Sequence, residues 1–346
     1  MSDTITNFNP NAVGDASNTI YGLPFHTKNA KVVILPVPWE VTVSYSAGTA
    51  NGPQAVYDAS FQVDLFDPLI KDAWKMGIAM QAVDKKIKAQ SRLLRKKAEI
   101  YIDAYIKAAG KKESATMRKT REEINAACRK LNEWVMNQSL AQLEKGKIAA
   151  LLGGDHSTPL GLMQALASKH KSFGILQIDA HADLRDAYEG FEFSHASIMF
   201  NALKIPQVKQ LVQLGIRDYC EDEFNIIQKD KRITTFFDRD IKQSQYKGES
   251  WEKICDRVIS TLPKNVYLSF DIDGLDPKLC PNTGTPVPGG FEFEQIVFLL
   301  EKLVASKRTI IGFDINEIAP GKDEWDANVG ARMLYKVANL CALSNK

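Results

Sequence analysis

The amino-acid sequence predicts an open α/β fold in which a parallel sheet is covered on both faces by helices. Two observations carry that expectation. Six short apolar runs rich in β-branched residues recur along the chain, and runs of this kind, without polar alternation, suit strands buried on both faces. Between them lie stretches with apolar residues at helical spacing, such as LGLMQALASKH (Leu160 to His170) and EFEQIVFLLEKLVASK (Glu292 to Lys307). Alternation of the two patterns indicates parallel strands joined by crossover helices.

Taken in order, the first 30 residues are rich in Asn, Thr, Gly and Ser and read as an irregular arm over the surface or a partner subunit. KVVILPVPW (Lys31 to Trp39) is a strand stopped by prolines. Residues 85–147 then differ in kind, with apolar positions Leu94, Ile100, Tyr101, Tyr105, Ile124, Cys128, Leu131, Trp134 and Val135 at helical spacing and a GKKES break between them. Two or three helices are expected there, with a solvated basic face. The further strands are IAALLGG (Ile148 to Gly154), FGILQIDA (Phe173 to Ala180), QLVQLGI (Gln210 to Ile216), VYLSFDID (Val266 to Asp273) and TIIGFDI (Thr309 to Ile315).

Composition excludes several function classes. A chain of 346 residues with 45% hydrophobic and 25% charged content can bury a sizeable core. The N-terminus has neither the basic nor the apolar region of a signal peptide, and no apolar run approaches roughly 18 residues, so a cytoplasmic location is the default expectation. The five cysteines are scattered without CxxC spacing and read as reduced thiols. A net charge of +2 hides an asymmetry: between Asp84 and Lys130 stand fifteen Lys/Arg against six Asp/Glu, leaving 29 basic and 36 acidic residues elsewhere. No nucleic-acid motif accompanies the basic segment, so nucleic acid is not an expected partner.

The chemistry lies at the strand ends. GGDHS, DAHAD, DID and NE each follow a predicted strand, and in open parallel sheets ligands bind beyond the carboxyl ends of the strands. In QIDAHADLR the side chains of Asp179, His181 and Asp183 stand at alternate positions and share one side of an extended chain. His156, Asp271 and Asp273 converge on the same edge. Four carboxylates together repel one another unless a cation compensates. Imidazoles and carboxylates without thiolates suit a divalent ion, with Mn²⁺ a natural choice. Six side chains exceed the needs of one tetrahedral ion, and two ions about 3.5–4 Å apart sharing a bridging water satisfy the count. That water would be hydroxide near neutral pH, and the implied chemistry is hydrolysis. The remaining histidines, His26 and His170, fit surface or capping roles.

At this point the motifs resemble a known family. GGDHS, DAHAD, SFDIDGLDP with TGTPVPGG, and DINEIAP are similar in order and spacing to those of the ureohydrolases, the arginase and agmatinase superfamily. VPWEVTVSYSAGTANGPQAV (Val37 to Val56) resembles the substrate-entrance segment of bacterial and archaeal agmatinases. The resemblance spans roughly residues 31 to 340, interrupted by the long helical segment. It implies a single-domain three-layer α/β/α sandwich over 31–346, with a mostly parallel, about eight-stranded sheet and a basic helical insertion at about 85–147. It implies one Mn²⁺ held by His156, Asp179, Asp183 and Asp271 and a second by Asp179, His181, Asp271 and Asp273, with Ni²⁺ or Co²⁺ as alternative ions. Asp183 would also orient the nucleophile, Glu317 would bind the substrate guanidinium, and His195 would carry protons to the leaving amine at a pKa near neutrality. Asp155 and Asp276 would orient ligands or backbone from behind. A homo-oligomer, trimer or hexamer, completes the implication.

The resemblance implies a guanidino substrate, whose tail is read from departures. The Ser/Asn-containing stretch that reads the amino-acid end in arginases is here Glu192, Phe193 and Ser194, and Cys220 stands where arginases bind the α-amine. Both count against arginine, and DAHADLRDAYEGFEFSHAS resembles the agmatinase-like pattern, which favours a decarboxylated substrate, hence agmatine hydrolysed to putrescine and urea. Val287, where agmatinases often carry Glu, cuts the other way. Arginase, guanidinobutyrase, guanidinase and formiminoglutamase activities stay open, as does a non-catalytic binding protein on the same fold.

Overall fold

The computed structural model describes residue 5 and residues 7–108 and 112–346. Its centre is an eight-stranded sheet in the order β2-β1-β3-β8-β7-β4-β5-β6, made of β1 (Val32–Val37), β2 (Ile78–Met80), β3 (Ile148–Gly153), β4 (Phe173–Ile178), β5 (Val208–Ile216), β6 (Ile233–Phe237), β7 (Asn265–Asp271) and β8 (Thr309–Asn316). Every neighbouring pair is parallel, so the sheet is all-parallel where a mostly parallel one was expected. The four central strands, β3, β8, β7 and β4, are those that end in GGDHS, NE, DID and DAHAD. Because they are adjacent and parallel, all four motifs emerge at one edge.

Two strands have no counterpart among the six apolar runs, and they are the two edges of the sheet. β2 has three residues, and four of the five residues in β6 (ITTFF) are only half-buried. An edge strand pairs on one side and is partly solvated, so it needs no continuous apolar run.

Helices α1 (Gly52–Ala59), α2 (Lys85–Ala108), α3 (Ala115–Leu143), α4 (Leu160–Ala167), α5 (Ile198–Ala202), α6 (Glu221–Lys229), α7 (Asp238–Tyr246), α8 (Trp251–Ser260), α9 (Phe293–Ala305) and α10 (Trp325–Ser344) flank the sheet. Side chains alternate along each strand, so the two faces have separate cores. One contains Ile34, Leu152, Ile178, Leu268 and Phe313 under α8, α9 and α10. The other contains Leu35, Leu151, Ile175, Leu211 and Tyr267 under α2, α3, α4 and α5.

The 85–147 segment is a hairpin of two helices. Asp84 starts α2 by accepting from the amides of Lys86 (2.7 Å) and Ile87 (3.1 Å), and Ser114 caps α3 by accepting from Met117 N at 3.2 Å. The GKKES break at 110–114 lies only partly within the described residues. Leu94, Tyr101, Ile124, Cys128, Leu131 and Val135 are buried as expected, but Ile100 and Tyr105 are 73% and 45% exposed, on the solvent side of α2. The arm differs from a purely surface path, since Ile20, Tyr21, Leu23 and Phe25 are buried in the first core and Tyr21 Oη donates to Ala331 O at 2.8 Å. No helix is long and apolar enough to cross a membrane among the described residues.

Candidate metal centre and active site

Backbone turns at the four strand ends deliver the functional side chains. After β3 the chain passes so close to Trp39 that a Cβ on Gly154 would lie 1.8 Å from Trp39 O, which only glycine permits. His156 follows, its amide donating to Glu317 Oε1 at 2.9 Å, while Glu317 N donates to Gly154 O at 2.8 Å. After β4, His181 N donates to Asp179 Oδ1 (2.6 Å) and Ala180 N to Asp273 Oδ1 (3.0 Å), joining that loop to the one after β7. Asp271 Oδ1 accepts from Asp273 N at 2.9 Å.

These turns bring all six predicted ligands together. His156 Nδ1 lies 3.0 Å from Asp179 Oδ2, 3.0 Å from Asp183 Oδ2 and 3.3 Å from Asp271 Oδ2. His181 Nδ1 lies 3.0 Å from Asp273 Oδ2 and 3.7 Å from Asp179 Oδ1. Two ligand groups result, His156–Asp179–Asp183 and Asp179–His181–Asp273, with Asp179 common to both. Asp271 belongs to neither compact group and reaches the first through His156. The donor set fits a divalent cation: His156 Nδ1 and Asp273 Oδ2 are buried and, despite short contacts, have no partner in hydrogen-bonding geometry. Atoms that converge without bonding one another suit a shared cation.

Electrostatics show the same tension. Burial, with the charges of Asp273 and Asp179, pushes Asp271 well up. Burial and Asp179 raise Asp183 to about 7. Burial opposes charge on His156, yet the carboxylates of Asp179, Asp183 and Asp271 drive it well above its ordinary value. His181 is raised by Asp273 and Asp179 against the same penalty, and both imidazoles hold Asp179 down although burial opposes it. Protons thus occupy positions that a bound cation would take.

Asp183 and Glu317 both have left-handed backbones, with φ of +55° and +62°. Such conformations cost about 1–3 kcal/mol each and persist at functional sites where the surroundings enforce them. Burial, then Asp155, pushes Glu317 well up, and Gly284 leaves room beside it, since a Cβ there would lie 2.9 Å from Glu317 Oε2. His195 is half-buried, and its Nδ1 lies 3.3 Å from Ser194 Oγ. Burial and then the charges of His181 and His156 lower it to about 3. That lies below the near-neutral value expected from sequence: burial first, and then the cationic neighbours, keeps this imidazole unprotonated at rest. Asp155 accepts from Ser157 N at 3.0 Å, and Asp276 from Lys278 N at 3.0 Å, so each orients backbone.

A cavity of about 150 Å³ opens above the centre, lined by His181, Asp183 and His195 and, further out, by Tyr188, Asp218 and Tyr219. His156, Asp179, Asp271, Asp273 and Glu317 do not line it and lie buried beneath. A larger cavity of about 650 Å³ between the arm and Phe61–Leu65 contains none of the ligands.

Sequence reasoning missed a polar row beneath the centre, buried along its length except at half-buried Thr235. Across the sheet Thr235, Gln213, Gln177, Ser269 and Asp314 stand in register. Thr235 Oγ1 donates to Gln213 Oε1 (2.7 Å), Gln213 Nε2 to Gln177 Oε1 (2.7 Å), Gln177 Nε2 to Asp179 Oδ2 (2.8 Å) and Ser269 Oγ to Asp314 Oδ2 (3.0 Å). The signal was present: Gln177 and Ser269 are the polar residues of otherwise apolar runs, each two positions before a metal ligand and hence on its face. Arg217 was also missed; its guanidinium donates to Asp273 O (2.6 Å) and Val287 O (3.1 Å), tying the TGTPVPGG loop to the centre.

An all-parallel α/β sheet with buried His/Asp ligands at its carboxyl edge defines a metal-dependent enzyme. Its family follows from comparison with known proteins. The chain belongs to the Arginase family, whose profile matches residues 30–339. It is a ureohydrolase acting on a guanidino compound with a divalent metal. An N(1)-aminopropylagmatine ureohydrolase of Thermus thermophilus is 30% identical over 316 residues, covering 91% of this chain and 92% of its own. An agmatinase of Bacillus anthracis is 23% identical over 299 residues, covering 86% and 87%. The agmatine ureohydrolase structure of Thermoplasma volcanium superposes with a TM-score of 0.70 at 23% identity, covering 98% of this chain and 96% of that one, a likeness of fold.

Proposed function

We propose that the protein hydrolyses agmatine, or an agmatine extended at its amine end, to urea and the corresponding amine, with two divalent ions for which Mn²⁺ is the native choice. The observation that carries this reading is the sharing of Asp179 by two ligand groups. In it His156, Asp179, Asp183 and Asp271 would hold one ion and Asp179, His181, Asp271 and Asp273 the other. Bound ions supply Lewis acidity and water of lowered pKa.

The chain's own residues do the rest. Glu317 accepts two guanidinium N–H bonds in a charge-assisted pair and fixes the reacting carbon. Asp183 accepts a hydrogen bond from the nucleophilic water and aims it. As the C–N bond breaks, His195, neutral at rest, takes up a proton and gives it to the leaving nitrogen. Water oxygen ends on the former guanidinium carbon, giving urea, and the amine leaves protonated.

The tail assignment rests on charge. At the cavity mouth Arg185 lies 3.7 Å from Glu223 and 4.8 Å from the Tyr188 ring centroid, so its charge is met. Asp218, exposed at the rim and 3.9 Å from His181 Nε2, adds negative charge where a cationic tail would pass, with Tyr188 and Tyr219 as aromatic walls. The activities named for the Thermus and Bacillus relatives agree with an amine tail. The test is urea release by Mn²⁺-loaded enzyme from agmatine, N1-aminopropylagmatine, arginine and 4-guanidinobutyrate. The amine-tailed pair should have the highest kcat/KM; preference for either carboxylate-bearing substrate would overturn the tail assignment.

A further inference from the structure

The α2–α3 hairpin is bound to both loops that enclose His195. On one side Arg95 of α2, its side chain only 12% exposed, donates to Val41 O (3.4 Å) and Val43 O. Ser91, buried one turn earlier, accepts from Glu40 N at 3.1 Å. Ser44, one residue beyond the second of these carbonyls, lines the active-site cavity together with His195.

On the other side the hairpin grips a tight turn. Tyr188 and Phe191 exchange backbone hydrogen bonds of 3.2 and 2.8 Å across Glu189 and Gly190, which have φ of +52° and +82°. That is a type I′ turn, and the non-glycine at its first central position needs outside support. Asn125 of α3, 3% exposed, supplies it: Nδ2 donates to Gly190 O (3.2 Å) and Oδ1 accepts from Glu192 N (3.0 Å). Phe191 packs on Tyr101 of α2 with ring centroids 5.1 Å apart, and a Cβ on Gly190 would lie 2.8 Å from Tyr101 Oη. The turn carries Tyr188, edge-on to the His195 ring at 6.1 Å, and leads straight to His195.

We propose that the α2–α3 hairpin is the outer wall of the active site, and that Arg95 and Asn125 are positioning residues that hold His195 from both sides. This rests on the reading that His195 transfers the proton. A basic solvated face was the expectation for the segment; its inward side instead secures the two loops on which leaving-group protonation depends. Misplacing a catalytic group by about 1 Å can cost about 10²-fold in rate.

A double-mutant cycle tests the proposal in the full-length, metal-loaded enzyme. Arg95→Ala and Asn125→Ala should each keep their metal and lower kcat for urea release by about ten- to a hundredfold. In a His195→Ala background, each should cost less than about twofold more, because the group they position is gone. Single variants at wild-type kcat, or losses that multiply fully in the His195→Ala background, overturn it. Should Arg95→Ala not fold, Arg95→Lys, which keeps the charge but cannot span both carbonyls, carries the same cycle. If His195→Ala itself retains wild-type kcat, the proton-transfer reading fails instead. Amide exchange then decides the wall: Glu192 N–H must exchange about tenfold faster in Asn125→Ala with α2 and α3 unchanged, and equal protection overturns it.

Discussion

His156 Nε2 lies 2.9 Å from Ser269 Oγ, and that hydroxyl donates in turn to Asp314 Oδ2 at 3.0 Å. A hydroxyl with one proton that donates to Asp314 must accept from His156. The ring therefore donates its Nε2 proton to Ser269 and directs Nδ1, the atom that would ligate a cation, at Asp179, Asp183 and Asp271. Such partners behind a ligating histidine fix its tautomer and basicity. Ser269→Ala should fold normally and lose about ten- to a hundredfold in metal affinity, with activity restored at high metal. Calorimetric titration checks this; unchanged affinity would contradict the tautomer argument.

Glu317 has little room to move. Gly284→Ala would place a methyl 2.9 Å from Glu317 Oε2 without blocking any ligand. The variant should bind metal normally while KM for the guanidino substrate rises by about tenfold, on the order of 1.4 kcal/mol. An unchanged KM would separate Glu317 from substrate binding.

Metal binding should depend on pH with a definite sign. In the metal-free centre His156, His181 and Asp271 are raised and Asp183 stands at about 7. Their protons must leave when a cation binds, so affinity rises with pH through about 7, where Asp183 titrates, and goes on rising above it while the raised His156, His181 and Asp271 still hold theirs. Titrations at pH 6 in buffers of different ionisation enthalpy should reveal net proton release. No release would mean that these side chains are not the ligands.

Thiols stand apart from the chemistry. Cys128, Cys255, Cys280 and Cys341 are buried, and burial pushes Cys255 up to about 12. Cys220 alone is partly exposed. A thiol reagent should modify Cys220 only in the native protein and all five cysteines in denaturant, without releasing metal. Several fast-reacting native thiols, or metal loss on modification, would contradict this arrangement.

Much of this molecule was legible in its sequence because the informative strands are the central ones. β3, β4, β7 and β8 are buried on both faces, so each announces itself as an apolar run and its motif as the interruption. β2 and β6 sit at the edges, where short length and partial solvation remove that signal. The ligands were legible because period two places Asp179, His181 and Asp183 on one side. Asp314 was not, because its bond to Ser269 comes from register between β7 and β8, which no single run encodes. Asn125 was hidden for a similar reason: its partners, Gly190 and Glu192, lie more than sixty residues downstream.

Titration of the metal-free protein with Mn²⁺, followed by urea release from agmatine, tests the central claim most directly. The account predicts no urea without metal and activity that saturates at two equivalents per chain. Asp179→Ala should abolish that response. Saturation at one equivalent, or wild-type turnover in Asp179→Ala, would contradict a pair of ions sharing that carboxylate.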